Sequence, residues 1–143
     1  MRYQFVDCTY DLTDPERGRQ LYLASHIPGA SFLSLDRDLS DLSASNAGRH
    51  PLPTAEAFAR AVSAAGIGEG VFAVAYEQRR GGAADRLWWL LRHFGHDDCA
   101  VLLFDAWQGP LRSGEEQPEP AEFRPRPRDG GHDRRGGAAG AAR

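Results

Sequence analysis

The sequence predicts one α/β domain with a mainly parallel central sheet flanked by helices, and three observations carry that expectation. Segments of strand character alternate with segments of helical spacing along the chain. The run Val71-Phe72-Ala73-Val74-Ala75-Tyr76 is apolar throughout, as suits a strand buried on both faces of a parallel sheet. Connections between these segments are short, which favours right-handed βαβ crossovers. With 143 residues, 41% apolar and 26% charged, the chain has room for one core of ordinary composition.

Tyr3 to Cys8 reads as the first strand. Thr13-Asp14-Pro15-Glu16 offers an N-cap, a proline at the first helical position and an acidic first turn, so a short helix is expected within Asp11 to Arg19. His26-Ile27-Pro28-Gly29-Ala30 is a turn signal, and Ser31 to Leu35 follows as a second short strand. Asp36 to Pro53, rich in Ser, Asp, Asn, Gly and Pro, reads as a long surface loop. Thr54 then caps a helix with Phe58, Val62 and Ala65 on one face, ended by Gly66. After the strand Val71 to Tyr76 and a charged loop, Ala83 to Phe94 forms a helix carrying Leu87, Trp88, Leu90 and Leu91 and stopping at Gly95, and Ala100 to Phe104 is the last strand.

Beyond Phe123 the character changes. Arginine alternates with proline and then gives way to Gly, Ala and Arg with no apolar periodicity, so the domain is expected over 1–123 and a disordered tail over 124–143. All 17 basic residues are arginine, and Ala, Gly and Pro are heavily used, the imprint of a GC-rich genome. One origin for such a tail is a reading-frame shift that replaced a second domain.

A net charge of -3 with scattered basic residues argues against a dedicated nucleic-acid binder. No apolar run approaches the roughly 20 residues needed to span a bilayer, and Met1-Arg2-Tyr3-Gln4 lacks a signal-peptide h-region, so a cytoplasmic location is expected. Cys8 and Cys99 match no zinc-ligand spacing and should not pair in a reducing compartment, so neither a metal, a cofactor nor a disulfide is expected.

Five strings occur in sequence: VDCTYDL at Val6 to Leu12, SHIPGASFLSLDRDLSD at Ser25 to Asp41, RHPLP at Arg49 to Pro53, GGAADRLWWLLRHFGHDD at Gly81 to Asp98 and DAWQGPL at Asp105 to Leu111. In order and near-spacing they resemble the N-terminal, non-catalytic rhodanese domain of the two-domain thiosulfate and 3-mercaptopyruvate sulfurtransferases, from about Phe5 to Phe123. The resemblance implies a rhodanese-like fold and a chemistry in which a cysteine thiolate takes sulfane sulfur from a donor, holds it as a persulfide and passes it to a thiophilic acceptor. Where that family usually has two glycines ahead of its tryptophan segment, this chain runs Leu103-Phe104-Asp105-Ala106-Trp107.

A free thiol titrates at about 8.5, so such a site must lower that value with backbone N–H dipoles and cations between a strand end and a helix N-terminus. The corresponding loop is Glu77-Gln78-Arg79-Arg80-Gly81-Gly82, and the resemblance puts Glu77 at the persulfide-cysteine position. A carboxylate cannot carry sulfane sulfur. The resemblance therefore implies a catalytically silent half that needs a second rhodanese domain, with a small sulfur donor and acceptor as the joint substrates.

Asp36 and His50 match a carboxylate and an imidazole that assist a serine in proton transfer in the mercaptopyruvate branch, so the resemblance makes them contributors to an interdomain site; solvated loop residues are the alternative. Arg79 and Arg80 are candidates for holding an anion, against plain solvation. His26 is expected to be structural, Arg86, Trp88 and Trp89 to be helix and core residues, and His93 and His96 to favour the negative end of a helix. Two other functions stay open: a stand-alone sulfurtransferase using Cys8 or Cys99, and a non-enzymatic interaction module with an apolar patch near Trp88 or Trp107.

Overall fold

The computed structural model describes residues 1–41 and 51–128. Its elements are β1 (Arg2–Asp7), α1 (Arg17–Ala24), β2 (Ser31–Phe32), α2 (Ala55–Ala64), β3 (Val71–Tyr76), α3 (Ala83–His93) and β4 (Cys99–Val101), then a 3₁₀ turn at Phe104–Ala106. The strands form one parallel sheet in the order β2-β1-β3-β4. Register runs from Arg2 beside Val71 to Asp7 beside Tyr76, so the two central strands end side by side.

One face of the sheet carries the main core. Val6, Ala73 and Ala75 pack there against Phe58 and Val62 of α2 and Leu87, Leu90 and Leu91 of α3, all buried. Each large side chain so buried contributes about 1.5–3 kcal/mol relative to exposure. Phe58 stacks on Phe94 at 4.9 Å and meets Phe123 edge-on at 5.6 Å. On the opposite face a smaller cluster of Tyr22, Ile27, Ala30 and Tyr76 lies under α1, with Phe5, Phe104 and Trp107 half-buried around it.

Thr54 caps α2 as expected, its hydroxyl accepting from the Ala57 N–H at 3.1 Å. α1, in contrast, starts at Arg17 and extends to Ala24, later than the proline signal suggests. Asp11 and Asp14 accept hydrogen bonds from the Thr13 and Glu16 amides at 2.9 and 3.1 Å, and these local side-chain bonds hold the preceding residues in turns. β2 is shorter than expected, because Ser34 and Asp38 close a turn on each other: Ser34 N–H donates to the Asp38 carboxylate and Asp38 N–H to the Ser34 carbonyl, both at 2.8 Å.

The described part of the long loop is not all surface. Leu39 is fully buried, and the Arg86 guanidinium donates to its carbonyl at 3.0 Å and to that of Pro51 at 3.2 Å. β4 begins at Cys99 and ends at Val101; Phe104 leaves the strand line to stack on Tyr76 at 5.5 Å. Past Phe123, the Arg126 and Arg128 amides donate to the carbonyls of Phe94 and His93 at 2.8 Å each, satisfying carbonyls at the C-terminal end of α3. Among the described residues no helix is long and apolar enough to cross a membrane.

Candidate functional site

In open α/β sheets, ligands gather at the carboxyl ends of the strands. Here that edge is built from the ends of β1 and β3, where Asp7 and Tyr76 sit in register. The turn from β3 into α3 is made possible by Gly82, which caps the helix at φ +87°, a left-handed conformation costly for residues with a Cβ.

That turn wraps around the Glu77 carboxylate. Oε1 accepts from the backbone N–H of Gly81 and, at 3.1 Å, from that of Gly82, while Oε2 accepts from Ala84 N–H at 2.7 Å. Amides at a helix N-terminus favour an anion. The cradle therefore exists, and a side chain of this chain fills it.

Gln78 fixes the loop from below. Its backbone N–H donates to Thr9 Oγ1 at 2.8 Å, and its side-chain amide donates to Asp7 Oδ2 at 2.8 Å and to the Ser25 carbonyl at 2.7 Å. The other Asp7 oxygen accepts from the Thr9 amide at 2.8 Å and hydroxyl at 2.6 Å, and Tyr76 also bonds to this carboxylate. Burial pushes the Asp7 carboxyl above its ordinary range despite those donors. Burial, joined by the Asp7 charge, pushes the Tyr76 phenol far up, so it serves as a neutral hydrogen-bonding group that accepts from Ile27 N–H at 3.0 Å. In the sequence, Asp7, Thr9, Gln78 and Tyr76 carry one signal of this network, a polar residue closing an apolar strand, since a buried carboxylate must find donors.

Arg79 is half-exposed and ion-paired with Asp11 at 2.8 Å, so its guanidinium is already engaged. Asp11 is held low, first by the Thr13 hydroxyl and amide and also by Arg79. Arg80 is exposed. Two open depressions flank the loop. One, of about 590 Å³, lies among Tyr10, Leu12, Leu35, Arg79 and Arg80. The other, of about 370 Å³, lies between the loop and Leu102, Leu103 and Asp105.

Neither thiol reaches the cradle. Cys8 is fully buried with its Sγ 3.9 Å from the Val6 carbonyl; burial pushes its thiol well up, and the charges of Asp7, Glu77 and Asp38 add to the effect. Cys99 packs with its Sγ 3.6 Å from the His96 carbonyl, and burial pushes it up to about 12. Asp36 lines a third depression with Ser40, Asp41, Thr54 and Ala57, which shares no residue with those around the loop. His50 lies outside the described residues. His26 is buried and bonds backbone carbonyls, Trp88 is buried, and His96 bonds the Val71 carbonyl at 3.0 Å. Among the described residues no group of three or more His, Cys, Asp or Glu is arranged to hold a metal.

Fold and cradle together define a single rhodanese-type α/β domain. A 3-mercaptopyruvate sulfotransferase from Escherichia coli, SseA, solved as a rhodanese fold, superposes with a TM-score of 0.77 at 29% identity, covering 89% of this chain and 50% of its own. The human 3-mercaptopyruvate sulfurtransferase is 38% identical over 133 residues, covering 85% of this chain and 42% of its own length. Thiosulfate/3-mercaptopyruvate sulfurtransferase 2 of Arabidopsis thaliana is 42% identical over 98 residues, covering 68% of this chain and 28% of its own length. No family profile matches. The chain is a rhodanese-family domain, homologous to the 3-mercaptopyruvate and thiosulfate sulfurtransferases, and it spans less than half the length of these curated relatives.

Proposed function

We propose that this domain is the catalytically silent half of a sulfurtransferase that moves sulfane sulfur from thiosulfate or 3-mercaptopyruvate to a thiophilic acceptor. The persulfide cysteine would come from a second rhodanese domain. A single observation carries this reading: the amide cradle at the N-terminus of α3 holds the Glu77 carboxylate, which has no sulfur to offer. In that role Glu77 keeps the loop folded, and Arg79, Arg80, Asp36 and His50 are contributors to a joint site with the second domain, not catalysts of this chain alone. The division into a domain over 1–123 and a tail over 124–143 belongs to the same proposal, with Arg126 and Arg128 the part of the tail that bonds to the end of α3.

The stand-alone alternative has little support, because both thiols are buried and pushed away from the thiolate. An interaction module has one supporting observation: exposed Tyr3 packs on half-buried Phe72 at 5.4 Å and half-buried Trp107 meets Phe5 at 5.6 Å, leaving aromatic surface in contact with solvent. Two free, buried cysteines support a cytoplasmic setting; a tagged chain collecting in another compartment would exclude it.

The deciding experiment assays thiosulfate:cyanide and mercaptopyruvate:cyanide transfer by the purified chain, with and without a separately expressed cysteine-bearing domain. No turnover alone is expected, and gain of turnover in the mixture supports the proposal. Robust turnover by the chain alone overturns it.

A further inference from the structure

The His26 ring is fully buried, with Nδ1 2.9 Å from the Ile27 carbonyl oxygen and Nε2 2.6 Å from the Gly114 carbonyl oxygen. A carbonyl oxygen only accepts. A neutral imidazole has one N–H, so in either tautomer one of these carbonyls would face a ring lone pair; only a ring carrying both protons satisfies both.

A buried cation needs a counter-charge, and one is in place. Glu116 Oε2 lies 3.5 Å from Nδ1, fixed there by the Gly29 amide at 2.9 Å, while Oε1 meets Arg112 Nη1 at 3.1 Å. The Tyr22 ring of α1 stacks on the imidazole at 4.4 Å and 17°, a face-on arrangement that favours positive charge. Its hydroxyl donates to the Ala30 carbonyl and accepts from Glu116 N–H at 3.3 Å. From β3, the Tyr76 hydroxyl takes the neighbouring Ile27 amide. Further out, Glu115 pairs with Arg19 of α1.

We propose that His26 is a buried imidazolium that latches residues 112–118 onto the β2 side of the domain. The latch has a backbone part, in which His26 and Arg112 exchange N–H to carbonyl bonds at 2.8 Å and Gly114 N–H donates to Leu23 at 2.8 Å. It also has a charged part, the ring with Gly114 and Glu116. A ring with only one proton would leave a carbonyl against a lone pair and Glu116 without its cation, and the segment would open.

The test is nitrogen-15 NMR of the histidine rings in the full chain, with His26 assigned through its contacts to Tyr22. Two slowly exchanging ring N–H protons on His26 at neutral pH are expected. In Glu116→Gln the second ring N–H, and with it the Arg112 and Gly114 amides, should exchange faster than in the wild type at the same pH. A single protonated ring nitrogen in the wild type overturns the proposal, independently of how the variant folds. Identical ring N–H exchange in the variant removes Glu116 from the latch.

Discussion

The Glu77 carboxylate accepts the Ala84 backbone N–H at 2.7 Å across the first turn of α3. A side chain thus ligates the helix that follows it, and the strand-to-helix turn closes on a charge of its own making. Removing that charge leaves amides at a helix N-terminus without their acceptor. Glu77→Ala should destabilise the domain by about 1–3 kcal/mol in urea unfolding, with Glu77→Gln losing less because its amide oxygen still accepts. Equal stability of all three proteins would mean that water replaces the carboxylate without cost.

Asp7 gives the fold a pH dependence of unusual sign. Its carboxyl is raised by burial, so the folded chain keeps the proton to higher pH than the unfolded chain, whose carboxyl titrates near 3.9. The contribution is fully present below that ordinary value and is lost as pH rises through the raised one. Asp7→Asn removes the slope and sets a second N–H donor against Gln78, costing about 1–3 kcal/mol. Urea midpoints across the acid-to-neutral range should show wild type losing stability relative to the variant as pH rises; parallel curves would refute the assignment.

Neither cysteine should react in the native state. With its thiol at about 12, Cys99 is ionised to about one part in ten thousand at mildly alkaline pH, and Cys8 is likewise pushed well up, by burial first and by the charges of three carboxylates. Thiol-reactive dye should label neither residue until denaturant is added and then label both. Mass spectrometry after thiosulfate treatment should show no sulfur adduct, and an adduct on either cysteine would revive the stand-alone reading.

Gly18 marks where α1 lies flush against the chain leaving β1. A Cβ there would overlap the Thr9 carbonyl oxygen and come within 2.8 Å of its carbon, both backbone atoms with little freedom to yield. Gly18→Ala should cost about 3 kcal/mol even though alanine is the better helix former. A thermal midpoint equal to or above wild type would show that α1 can slide away.

The parts of this fold that were legible in the sequence are those where one local signal decides the outcome. Thr54 before an amphipathic run gave the start of α2, and the two-sided apolar stretch gave β3, because capping and burial there do not depend on distant residues. Two boundaries were not legible, one for a tertiary reason and one for a local reason that competes with the helix signal. Phe104 abandons the strand to stack on Tyr76, and Asp11 and Asp14 bond their own turns ahead of α1. The loop bearing Glu77 could be found from its glycines and its place between strand and helix. Its support could not, since Asp7, Thr9 and Gln78 meet only once β1 and β3 are adjacent.

That adjacency also governs how the domain must come into being. Of these four strands β1 is synthesised first yet is an inner one, flanked by β2 and β3, and its fullest pairing runs from Arg2–Val71 to Asp7–Tyr76. Until β3 has been translated, the amino-terminal segment lacks its principal neighbour and the sheet has no centre. Acquisition of structure is therefore late and nearly all-or-none, and a nascent chain halted before Val71 should remain open to protease along its whole length.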